Sequence, residues 1–128
     1  MQTHPNVSDL IGTPFSKMKC WDLVVEVERR FGNSVPSFDV KGSLDASLIA
    51  GIVGQQESCG RWERIERPEP GCIVAMSLEP EYPDAIQHFG VYLRRNFIHS
   101  SRKQNVVITP IDHPFYAKKI RGYFKWVS

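Results

Sequence analysis

Three residues of this chain have the types that acyl transfer through a covalent intermediate needs: Cys20, His88 and His99. A thiol attacks as its thiolate, an imidazole takes the proton, and a further polar group holds the imidazole in the right tautomer. Cys20 follows a loop-like stretch with breakers at Gly12 and Pro14. It precedes Leu23, Val24, Val27 and Phe31, which recur at helical spacing up to the stop signal Gly32-Asn33. The cysteine therefore falls at a helix N-terminus, where unpaired backbone N–H groups and the macrodipole stabilise negative charge. The expectation is a thiol that loses its proton below the free value of about 8.5. The competing reading is a small buried apolar residue, since free cysteine packs well in cores.

The two histidines raise the same choice. His88 opens an apolar run, and Gly90 lies two residues on, on the same strand face, leaving room above the sheet. His99 lies near the middle of the next run. If Leu93 pairs with Asn96 around Arg94-Arg95, Gly90 faces His99 and the two histidines become diagonal neighbours about 7 Å apart. A slip of one residue sends His99 to the other face. The bland reading is two polar residues near strand ends, each satisfied locally. His4, on an N-terminal arm, and His113, in an Asp112-His113-Pro114 turn, are less well placed.

These residues need a scaffold, and the rest of the chain supplies one. Residues 1–8 read as a flexible arm, and Asp9-Leu10-Ile11 as a short helix or turn. The nucleophile helix spans 20–31, with Glu26, Glu28, Arg29 and Arg30 on its wet side. A loop at 33–38 leads to a second short helix over 44–53, and 55–60 is polar loop. Strands are expected at 62–66, 72–76, 88–93, 97–101, 106–111 and 120–126, the last closing an edge. Proline-punctuated turns at 67–71 and 79–84 separate the first three. Helices first and strands afterwards make an α+β fold, with N-terminal helices packed on a mostly antiparallel sheet of five to six strands.

Composition bounds the function. A chain of 128 residues is one domain with enough length for a real core. Sixteen basic and 14 acidic residues leave a net charge of +2, too balanced to argue for nucleic acid. No apolar run approaches a membrane span, and the first residues have neither the basic nor the apolar region of a secretory signal. Three cysteines, Cys20, Cys59 and Cys72, include no close pair, which argues against a disulfide framework and against a zinc site.

Five stretches, taken in order, resemble the NlpC-type (NlpC/p-sixty) papain-like cysteine peptidases, most closely their short bacteriophage tail-assembly branch. Ile11-Gly12-Thr13-Pro14-Phe15 is similar to the opening G-x-P-[YF]. Cys20-Trp21-Asp22-Leu23-Val24 resembles the nucleophile motif C-[SW]-G-L-V. Trp62-Glu63-Arg64-Ile65 through Pro68-Glu69-Pro70-Gly71-Cys72-Ile73-Val74 resembles W-x-x-V-x-x-P-x-P-G-D-[VI]-V. His88-Phe89-Gly90-Val91-Tyr92-Leu93 resembles H-V-G-I-Y-L, and Phe97-Ile98-His99-Ser100-Ser101 resembles F-[IL]-H-A-S. Together they cover residues 9–126.

The resemblance implies a papain-like NlpC fold over residues 1–128, with Cys20 as nucleophile, His88 as base and His99 as the group that orients His88. Phe15, Trp21 and Gly90 would contact substrate. The implied reaction is hydrolysis of amide bonds in peptidoglycan stem peptides, typically after a γ-linked D-glutamate, with no metal and no cofactor. Phage tail proteins are the implied partners. The protein would be cytoplasmic when made and then carried in a virion tail or delivered to the cell wall. A structural tail protein of weak or no activity, and an amidase or acyltransferase using the same triad, are the alternatives.

The departures from the family pattern bear on specificity. Lys19 stands where the family has aspartate before the nucleophile, and Trp21-Asp22 where it has Ser-Gly. Lys19 favours a thiolate and Asp22 opposes it. Cys72 replaces the aspartate of the family's Gly-Asp strand start. Phe15 matches a tyrosine whose hydroxyl helps at the active site, and only four residues separate it from Cys20. The cleft is therefore expected to be more open, accepting internal or cross-linked stems.

Overall fold

The computed structural model describes residues 5–35, 62–78 and 88–126. The proposed helix over 44–53, the loops over 55–60 and 79–84, and Cys59 lie outside the described residues. Within them the protein is α+β, with a six-stranded sheet ordered β1-β6-β2-β3-β4-β5. The strands are β1 (Trp62–Ile65), β2 (Ile73–Met76), β3 (His88–Tyr92), β4 (Asn96–Ser101), β5 (Asn105–Pro110) and β6 (Ile120–Trp126). Every pairing is antiparallel. Among the described residues the sheet is accompanied by a 3-10 turn at Ser8–Leu10 and two α-helices, α1 (Cys20–Arg30) and the single turn α2 (Pro114–Ala117). None of the described helices is long and apolar enough to cross a membrane.

Helix α1 begins where the Asp22 carboxylate accepts the Lys19 N–H at 3.1 Å. It ends in a Schellman turn. Asn33 N–H donates to the Glu28 carbonyl and Gly32 N–H to that of Arg29. Gly32 takes φ +91°, which glycine reaches without a side-chain clash. The apolar stripe of α1, Leu23, Val24 and Val27, packs against Phe89, Val91 and Ile98 of the sheet. The opposite face carries Val74, Met76 and Phe97, covered in part by Tyr92, Tyr116 and Ile120.

Three expectations change here. Glu28 is fully buried rather than on the wet side, because it follows Val24 by four residues and shares its face. Residues 6–8 belong to the folded body rather than to an arm: Val7 is buried, and the Arg30 guanidinium donates to the Asn6 carbonyl. The same guanidinium grips both oxygens of Asp9 at 2.6 and 2.9 Å, which holds that carboxyl below its usual range. The C-terminal strand β6 does not close an edge. It inserts between β1 and β2, leaving four-residue β1 outermost. The turn at Asp112-His113-Pro114 leads into α2, which His113 caps by accepting the Phe115 N–H.

Candidate active site

The meander β2-β3-β4-β5 sets the register on which the histidines depend. Leu93 N–H donates to the Asn96 carbonyl at 2.8 Å, and Gly90 faces His99 across the ladder. His88 is therefore diagonal to His99, and the imidazoles touch: His88 Nε2 and His99 Nδ1 are 2.8 Å apart, with ring planes at 81°. The chain of contacts goes one step further. His99 Nε2 lies 2.9 Å from Thr109 Oγ1, and Thr109 is diagonal to His99 across the β4–β5 ladder. Phe97 and Tyr116 pack on the His99 ring, with centroids 4.6 and 4.9 Å away.

The loop before α1 is stitched to the same strands. Gly12 N–H donates to the Val106 carbonyl, and Val106 N–H to that of Thr13. Phe15 N–H reaches the Asn105 side chain. The Ser100 hydroxyl donates to the Met18 carbonyl, two residues before the cysteine and one residue after His99. These ties hold Cys20 against the start of β3, where the Phe89 N–H donates toward its sulfur. Phe89 faces α1, whereas His88 and His99 lie on the other face of the sheet. The thiol and the imidazole thus reach the first residues of β3 from two sides. Among the described residues no hydrogen bond joins Cys20 to His88 in this structure.

The electrostatics correct the expected acidity of Cys20. The residue is 1% exposed. Burial pushes its thiol up to about 11, against the N–H groups of Phe89, Trp21 and Cys20 itself, and the Asp22 carboxylate adds to the rise. Desolvation outweighs the helix N-terminus, so the resting group is a thiol. Burial also pulls His88 down to about 4, which keeps it neutral and able to accept a proton at neutral pH. His99 is lowered by burial first and then by repulsion from His88 and His113. Cys72 is buried too, and desolvation raises its thiol to about 12.

The three proposed substrate contacts fare differently. Phe15 is half-buried, with the Arg102 guanidinium 5.6 Å from its ring centre. Trp21 is buried instead, its ring edge-on to Phe89 at 5.1 Å, so it is part of the core. Gly90 is not open space: a Cβ there would lie 2.8 Å from the Phe97 ring and 2.9 Å from the Ile98 carbonyl. Its missing side chain admits Phe97 and His99 rather than substrate. Gly90→Ala should therefore cost about 1–3 kcal/mol, the usual range for overpacking. Urea denaturation checks this, and an unchanged midpoint would show that β4 yields without strain.

The sequence alone does not point to Thr109, Ser100 or Tyr116. Their one available signal is spacing, since Thr109 shares a strand face with Val107, the residue opposite His99. Among the described residues, no group of three or more His, Cys, Asp or Glu side chains is placed to hold a metal ion. No family model and no curated protein matches the chain.

Proposed function

We propose that this protein is a cysteine peptidase of the NlpC type, with a papain-like fold, that hydrolyses amide bonds in peptidoglycan stem peptides. The observation that carries the reading is the buried 2.8 Å contact of His88 Nε2 with His99 Nδ1, on a strand whose next amide meets the Cys20 sulfur. A base imidazole held by a second histidine is what a nucleophilic thiol needs. The five sequence stretches described above name the bond class, and their likeness to the phage tail branch names the carrier.

In this reading His88 Nδ1 takes the Cys20 proton as the sulfur attacks the scissile carbonyl. The C–N bond then breaks, the leaving amine takes that proton from His88, and a thioester remains on Cys20. Water, deprotonated by His88, hydrolyses the thioester and regenerates the thiol. His99 keeps His88 oriented throughout. The substrate meets Phe15 at the open side of the short loop.

A second reading is a tail-assembly protein on the same fold with weak or no activity. Its support is the depth and basicity of Cys20. Moving a proton from a thiol at about 11 to an imidazole at about 4 costs on the order of 10 kcal/mol before the new charges attract each other. That is a large share of the barrier of about 13–17 kcal/mol of ordinary enzymes. Purified stem peptides separate the two readings. A peptidase releases a new amine at a γ-D-glutamyl linkage, and a structural protein releases none. Release of reducing sugar ends would contradict both.

A further inference from the structure

We infer that Thr109 is a positioning residue that sets the protons on His99 and His88, through the 2.9 Å contact of its hydroxyl with His99 Nε2. The inference rests on the reading of His88 as the base. His99 is fully buried, with Phe97 and Tyr116 on its ring, so its two ring nitrogens have the partners seen here: His88 Nε2 and Thr109 Oγ1. Each of those contacts holds one proton, and the protons are linked. When Thr109 Oγ1 accepts from His99 Nε2–H, His99 Nδ1 is bare. It then accepts from His88 Nε2–H, which leaves His88 Nδ1 bare and able to take a proton.

The reverse order is unproductive. If the Thr109 hydroxyl donates to His99 Nε2, His99 Nδ1–H donates to His88, and the proton of neutral His88 sits on Nδ1. The nitrogen left for the thiol is then blocked. Protonation of His88 in the reaction reinforces the first order, because an imidazolium has two N–H groups and needs His99 Nδ1 as an acceptor. Thr109→Val keeps the shape but removes the acceptor. A buried N–H facing a methyl group is costly, so His99 moves its proton to Nδ1 and the order reverses. A wrong tautomer in a catalytic triad costs up to about 10⁴-fold in rate. Here the neutral imidazoles can still exchange, so kcat should fall about 10- to 100-fold, within the range a general base supplies. KM should stay level, because Thr109 lies behind His99 rather than in reach of the thiol.

The test is imidazole ¹⁵N spectroscopy on the intact protein, which reads tautomers whether or not a substrate is known. Wild type should show His88 and His99 protonated on Nε2. Thr109→Val should show both protonated on Nδ1, and Thr109→Ser should restore the wild-type pattern and kcat. Wild-type spectra with the inverse tautomers would overturn the inference, and that result needs no variant to fold. Unchanged tautomers in a folded Thr109→Val would overturn it too. If tautomers respond as expected while no stem peptide is cleaved, the inference stands and the peptidase reading falls. If cleavage is seen and Thr109→Val changes neither tautomer nor kcat, the reading stands and the inference falls.

Discussion

His88→Ala should lower kcat/KM on stem peptides by about 10²–10⁴-fold, the range a general base contributes. His99→Ala should lose less, because a neutral but misoriented base remains. The pH profile carries the same argument. His88 sits at about 4 because it is buried, and only its neutral form accepts the thiol proton. Activity should therefore fall as pH drops through about 4, well below the 6.5 of a free imidazole. With the Cys20 thiol at about 11, the profile should stay level from about pH 5 to pH 10. A bell centred near neutrality would instead report a preformed thiolate–imidazolium pair. An active His88→Ala beside a His99→Ala as dead as a nucleophile variant would exchange the roles of the two histidines.

Glu28 should make the fold less stable as pH rises from about 4.5 to about 7. Its carboxyl is fully buried, one oxygen accepts from Asn33 at 2.9 Å, and the other has no partner. Burial lifts it from 4.5 to about 7. The folded chain then holds a proton that the unfolded chain releases, so stability falls between about pH 4.5 and 7 and is level above. The loss is about 3 kcal/mol. The histidines act in the opposite sense, since their lowered values reduce stability as pH falls below about 6.5, so the carboxyl is isolated by a variant. Glu28→Gln should gain up to about 3 kcal/mol over wild type at pH 8 and nothing at pH 4. Urea titrations at the two pH values read the difference. Equal effects at both would show that Glu28 does not change charge across that range.

The two histidines were legible because of what separates them. Two apolar runs joined by Arg94-Arg95 admit few registers, and the one with Leu93 on Asn96 brings the imidazoles together. Helix α1 was legible from Leu23, Val24 and Val27 and from its glycine stop. Glu28 obeyed the same spacing, but its charge argued for the wet side, and only the packing shows which signal prevailed. Local sequence makes Gly90 look like an opening for substrate, because the close approach of Phe97 from the neighbouring strand leaves no mark in it. Thr109 depends on the register of a third strand, and β6 on a crossover between distant segments; neither leaves a local mark. The acidity of Cys20 differs from its sequence-based expectation for a related reason. Helix position is readable from spacing, but the depth of burial that outweighs it is not.

The central claim, that Cys20 and His88 cut the peptide stem of peptidoglycan, is tested most directly by mass spectrometry of purified muropeptides. The wild type and Cys20→Ala should be incubated side by side. The wild type should convert stems into two fragments whose masses sum to the parent plus one water, with the break at a γ-D-glutamyl linkage. Cys20→Ala should leave the parent masses unchanged. Identical fragments from both proteins, or no fragments from the wild type, would contradict the claim.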